Sequence, residues 1–174
     1  CSPDSSVSGD RMRLPVVPPE GTGFGLSAIA PDGRWLAFAG ISGARLQLWV
    51  HAMDGTSTRA LAGTEGAVLP FWSPDSRNIG FFAGGRLRRV DVSGGVPLTL
   101  ADVSVPTGGT WSRDGVILFG RLGGTGLSRV PASSGEVVSV LRPDVNLQQT
   151  DFFNPVFLPD GKRFLYNVFA GRVD

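Results

Sequence analysis

Trp72-Ser73-Pro74-Asp75-Ser76-Arg77-Asn78-Ile79-Gly80-Phe81 reads as the end of one strand, a tight turn and the start of the next, and the pattern recurs. Its relatives are Ile29-Ala30-Pro31-Asp32-Gly33-Arg34-Trp35-Leu36-Ala37-Phe38, Trp111-Ser112-Arg113-Asp114-Gly115-Val116-Ile117-Leu118-Phe119 and Phe157-Leu158-Pro159-Asp160-Gly161-Lys162-Arg163-Phe164-Leu165-Tyr166. Turn chemistry accounts for the shared residues. Proline fixes φ early in a turn, an aspartate carboxylate accepts from N–H groups one or two residues on, and glycine takes a conformation that other residues avoid. Asp32, Gly33, Asp75, Asp114, Gly115, Asp160 and Gly161 are therefore expected to be structural turn residues. In the third repeat Arg113 replaces proline and Phe119 follows Asp114 by five residues, so that hairpin turn is one residue shorter.

The aspartates stand 43, 39 and 46 residues apart, and a period of about 40–45 residues is that of a four-stranded propeller blade. Three residues before each Asp stands Ile29, Trp72, Trp111 or Phe157, and after it comes Phe38, Phe81, Phe119 or Tyr166. These side chains are expected to anchor the packing between blades. Between the hairpins lie two more strand signals per period. They are Arg45–Val50 with Thr58–Leu61, Leu87–Val92 with Val96–Leu100, and Leu127–Val130 with Val137–Leu141, each pair joined by a glycine-containing turn. The expectation is an all-β chain, a β-propeller of four-stranded blades, here partial, with about three and a half to four of them. Residues 1–11 read as a linker or disordered start, and 12–174 as the partial propeller. Leu14–Gly21 resembles the approach to the second motif and reads as the outer strand of a preceding or closing blade.

Composition agrees. With 25 Gly and 13 Pro among 174 residues, helices are disfavoured, while 11 Phe and 4 Trp supply apolar surface enough to fold. A net charge of +1 gives no whole-molecule field for nucleic acid or an anionic membrane. Cys1 is the only cysteine and His51 the only histidine, so an internal disulfide is excluded and a Cys/His zinc site lacks ligands. No run approaches the roughly 18 apolar residues of a membrane helix. The missing initiator Met leaves open a mature product or a piece of a longer protein, and Cys1-Ser2 is open to lipid attachment.

At the Trp-Ser-Pro-Asp-Gly-like turn the chain resembles the WD-like repeats of TolB-type six-bladed propellers, which are also found beside peptidase domains. The order Leu69-Pro70-Phe71-Trp72-Ser73-Pro74-Asp75, Gly108-Gly109-Thr110-Trp111-Ser112 and Pro155-Val156-Phe157-Leu158-Pro159-Asp160-Gly161 is similar to the extracytoplasmic propeller of many bacterial serine/threonine protein kinases. That resemblance implies a sensor or docking module outside the cytoplasm of a bacterium, without kinase machinery of its own. No His-Arg-Asp or Asp-Phe-Gly motif occurs, and the only lysine, Lys162, lies in a repeat turn.

A search for chemistry returns bland readings. His51 reads as a surface or edge histidine, and no Gly-x-Ser-x-Gly elbow accompanies it. Asp102, Asp144 and Asp151 are placed on loops, where carboxylates are normally solvated, with acid–base work at the propeller mouth as the alternative. Gly21–Gly25 and Gly120–Gly126 depart from phosphate-loop spacing and read as turns. Arg86 and Arg88 share one strand face with Arg89 opposite, reading as solvated positions, with an acidic partner site as the alternative. No catalytic, cofactor or metal residues are expected. The favoured function is binding of a protein or small ligand, possible self-association arises at open blade edges, and the alternative is the propeller part of a peptidase-associated or glycan-acting hydrolase.

Overall fold

The computed structural model describes residues 16, 20–42 and 45–171. Each of the first three repeats folds into a four-stranded antiparallel sheet, hydrogen-bonded in chain order. The first holds β1 (Thr22–Ile29), β2 (Trp35–Ser42), β3 (Arg45–Ala52) and β4 (Thr58–Ala60). The second holds β5 (Val68–Trp72), β6 (Asn78–Ala83), β7 (Arg86–Asp91) and β8 (Leu98–Asp102), and the third β9 (Pro106–Trp111), β10 (Val116–Arg121), β11 (Leu127–Pro131) and β12 (Val138–Leu141). A short 3-10 helix, Val145–Leu147, leads to the fourth repeat, a hairpin of β13 (Gln149–Phe157) and β14 (Phe164–Ala170). The expected partial propeller of about three and a half four-stranded blades is thus present. The Leu14–Gly21 strand reading falls mostly outside the described residues, as does Cys1.

The blades stack face to face, which explains why β6 is apolar from Ile79 through Ala83 rather than alternating. Ile79, Phe81 and Ala83 enter the core shared with the first blade, where they meet Ala37, Leu48 and Val50. Phe82, one residue out of phase, enters the next core with Ile117 and Phe119 of the third blade. Leu118 faces the fourth repeat, against Phe152, with Phe157, Phe164 and Tyr166 around them. Phe38 is also fully buried, but on the side of β2 opposite Ala37, where Phe24 stacks on it at 4.4 Å between ring centroids.

Glycine is required where an inner-strand aromatic lies flat on a neighbour. A Cβ at Gly80 or Gly109 would fall 2.3 or 2.6 Å from the Phe71 ring, so this ring seals the second blade onto the third only because both positions are glycine.

Several expectations are corrected. Ile29 is 62% exposed, because it stands on an open cavity bordered by the second, third and fourth repeats instead of between packed blades. His51 is buried, its Nδ1 2.6 Å from the Thr58 hydroxyl on β4; β3 is flanked by strands on both sides, which takes the residue off the edge. Asp102 and Asp151 lie in strands β8 and β13, not in loops. Arg88 and Arg89 are half-buried rather than solvated, because β7 is an interior strand; Arg89 donates to the Asn78 side chain at 2.9 Å.

Candidate functional site

The inner strands β1, β5, β9 and β13 abut in succession and line the concave side of the arc. Each has an irregularity at the same place: the pairing register breaks between Phe24 and Ser27, Val68 and Phe71, Gly120 and Arg121 opposite β9, and Phe153 and Val156. The sixth residue before each repeat aspartate, Leu26, Leu69, Gly108 or Asn154, sits in these kinks. Leu69, Gly108 and Asn154 adopt positive φ values of 51°, 130° and 48°. Such bulges bend a strand and re-aim its side chains. They leave a cavity of about 210 Å³, bordered by all four positions.

A larger cavity of about 560 Å³ opens beside it at the turn end of the inner strands and shares Gly109, Pro155 and Val156 with the first. Repeat-equivalent residues ring it: Ile29, Trp72, Trp111 and Phe157 three before each aspartate, and Pro31, Pro74, Arg113 and Pro159 one before. Aromatic, aliphatic and proline side chains predominate in its lining, Thr110, Ser112 and backbone groups add polar surface, and Arg113 is the one charged side chain there among the described residues. The wall is held rigid by bonds between blades. The Trp72 indole N–H donates to the Ala28 carbonyl at 2.8 Å, and Phe157 N donates to the Thr110 hydroxyl at 3.3 Å. Asp32 N donates to the Ser76 hydroxyl at 3.1 Å. Ser76 stands where the other turns have glycine and adopts a φ of 60°.

The turns do not all use their aspartates alike. Asp32 Oδ1 accepts from Arg34 N at 2.9 Å, and Asp75 Oδ1 from Arg77 N at 3.1 Å and the Ser73 hydroxyl at 2.6 Å. That hydroxyl, more than any other group, holds the Asp75 carboxyl below the usual carboxylate range. Asp160 accepts from Lys162 N and Arg163 N, both at 3.0 Å, and pairs with the Arg163 guanidinium at 2.6 Å. Led by the Arg163 backbone bond, these lower it to about 2. Asp114 differs. Its turn closes from Ser112 N to Val116 O, one residue earlier than the Ser73 N to Asn78 O closure, and Val116 N donates to the Ser112 hydroxyl. No hydrogen bond to the Asp114 carboxylate occurs among the described residues, and it lines a separate cavity with Arg129 and Lys162.

The same Asx chemistry recurs in turns the repeat did not mark. Asp54 accepts from Thr56 and Asp91 from Ser93, each from backbone N–H and hydroxyl together. The acids weighed for catalysis are separately engaged. Asp102 lies 3.6 Å from Arg86, Asp144 caps the 3-10 helix at Asn146 N, and Asp151 accepts from Gly123 N and Gly124 N at 2.9 and 3.0 Å. Among the described residues no group of three metal-ligating side chains occurs, and no helix is long and apolar enough to cross a membrane.

No protein-family model matches the sequence, and no curated protein matches it. Solved structures do. A TolB-type protein from Agrobacterium tumefaciens superposes with a TM-score of 0.69 at 16% identity, over 83% of this chain and 53% of its own. The fold is that of a TolB-like β-propeller. Other solved structures match as well: an oligogalacturonate lyase from Vibrio parahaemolyticus (TM-score 0.66, 14% identity, 83% of this chain and 45% of that one) and the β-propeller domain of the Trilobed protease from Pyrococcus furiosus (0.58, 12%, 86% and 54%). The chain spans about half the length of these structures.

Proposed function

We propose that the chain is a non-catalytic binding module in which residues 12–174 form the propeller arc, residues 1–11 lead into it, and the mouth cavity receives a small ligand. The observation that carries this reading is the cavity itself. Its size lies within the range of about 300–1,000 Å³ usual for small-molecule sites, and an apolar wall with few polar groups is the usual lining of such sites. The repeat glycines and Asp32, Asp75 and Asp160 serve the turns, and Phe38, Trp72, Phe81, Trp111, Phe119, Phe157 and Tyr166 serve packing. The blades then act as a rigid frame for loops and inner-strand residues.

The module belongs to a larger bacterial protein as its extracytoplasmic sensor or docking part, such as that of a transmembrane serine/threonine kinase; the motif order around Trp72, Trp111 and Phe157 supports this. Self-association through open edges goes with it: Phe24 is exposed on the first blade and Leu165 and Phe169 on the last hairpin. A second reading, the propeller part of a hydrolase, draws on the likeness to the Trilobed protease propeller. Under the binding reading, small carboxylates, sugars and peptides titrated into the chain change tryptophan fluorescence without being consumed. Turnover of any of them, or a response unchanged in Trp111→Leu, contradicts it.

A further inference from the structure

Within that reading, we propose that the mouth takes a carboxylate-bearing small molecule with an apolar or aromatic body, the carboxylate on Arg113 and the body against Trp72, Trp111 and Phe157. The inference starts from a break in the repeat. Three turns present proline at this position, and the third presents a guanidinium, so one side of the ring carries an exposed positive charge.

Arg113 has no ion pair within 4 Å among the described residues, although acids stand close by in sequence and space. Each nearby acid is directed elsewhere. A Cβ on Gly161 would lie 3.9 Å from Arg113 N, so the Asp160 turn abuts it; yet Asp160 is occupied by Arg163 and its own turn. Asp75 borders a further cavity together with Arg113 but makes its hydrogen bonds with Ser73 and Arg77 N. Asp114 borders the neighbouring cavity with Arg129 and Lys162 and is absent from the mouth. The shortened third turn is what separates the two, because it leaves Asp114 outside the Asx geometry of the other repeats.

Of the other polar groups of the wall, the Trp72 indole N–H is taken by the Ala28 carbonyl, while the Thr110 and Ser112 hydroxyls accept from Phe157 N and Val116 N and keep their own O–H to donate, as does the Trp111 indole N–H. A ligand therefore finds one cationic, forked donor, a few neutral donors and several flat apolar surfaces. Arginine matches a carboxylate with two parallel N–H donors, and the aromatic side chains beside it offer surface for the ligand's body.

The test uses the full chain with phenylacetate and its neutral isostere phenylacetamide, followed by tryptophan fluorescence and calorimetry. Phenylacetate is expected to bind about 5-fold or more tightly than the amide, a ratio of order 1 kcal/mol. Arg113→Gln is expected to bring the two ligands together, while Arg129→Gln, in the neighbouring cavity, keeps the preference. If Arg113→Gln does not fold, Arg113→Lys serves: it keeps the charge, loses the fork and is expected to retain a reduced preference. Equal binding of both ligands to the unaltered chain overturns the carboxylate assignment but leaves the binding module standing. A preference that survives Arg113→Gln overturns it too. If neither ligand binds the folded chain, the carboxylate assignment fails; if the wider panel of carboxylates, sugars and peptides is also silent, the binding reading fails with it.

Discussion

Replacing Asp75 with alanine and Asp114 with alanine makes a matched pair, because the two aspartates are equivalent in the repeat and differ in what they hold. Asp75 Oδ1 accepts two hydrogen bonds, from the Ser73 hydroxyl at 2.6 Å and from Arg77 N at 3.1 Å. A net hydrogen bond contributes about 0.5–1.5 kcal/mol, and exposure of this carboxylate places each at the low end. The loss on Asp75→Ala is then about 0.5–1.5 kcal/mol in total. For a chain of this size each kcal/mol moves the melting temperature by roughly 2–4 °C, so a fall of about 1–6 °C follows. Asp114→Ala removes no hydrogen bond seen in the structure and is expected to stay within about 0.5 kcal/mol of the parent. Far-UV circular dichroism during heating and urea unfolding, at unchanged m-value, measures both. Equal losses in the two variants would refute the link between turn length and aspartate role.

Phe81→Ala empties a fully buried position between the first two blades and is expected to cost about 3–5 kcal/mol. Leu165→Ala, at a site 63% exposed, is expected to cost no more than about 0.5 kcal/mol; urea unfolding separates them. Asp160, lowered to about 2 in the fold against an ordinary value near 4, contributes stability that is present above about pH 4 and lost as pH falls toward 2. Carboxyl NMR titration is expected to place its midpoint near 2, and a midpoint near 4 contradicts the bonds drawn to it. Asp151→Ala frees Gly123 N and Gly124 N, so hydrogen exchange at these two amides is expected to accelerate while the β6 amides stay protected.

The repeat made the sheets legible because turn chemistry and apolar phase agree at every aspartate. Phe81 and Phe119 mark the core positions from sequence alone, since each follows its turn at a fixed strand offset. The short third hairpin was readable from the five-residue spacing to Phe119, but its consequence for the Asp114 carboxylate depends on which N–H closes the turn. The kinks at Leu69 and Asn154 were not readable, because each precedes a proline, which biases the residue before it toward extended backbone, yet each adopts positive φ. His51 was misplaced because the pattern marks a strand without saying that neighbours flank it on both sides. Arg113 was visible as a departure from proline; only the ring of Trp72, Trp111, Phe157 and three prolines around it turns that departure into a site.

The most direct test is NMR mapping of phenylacetate on the isotope-labelled full chain, reading the tryptophan indole N–H signals together with the backbone amides. The expected result is movement at the indoles of Trp72 and Trp111 and the amides of Thr110–Arg113, with Gly123 and Gly124 at the far hairpin unmoved. Shifts confined to Gly123–Gly126, or none at millimolar phenylacetate, would contradict a carboxylate site at the mouth of the arc.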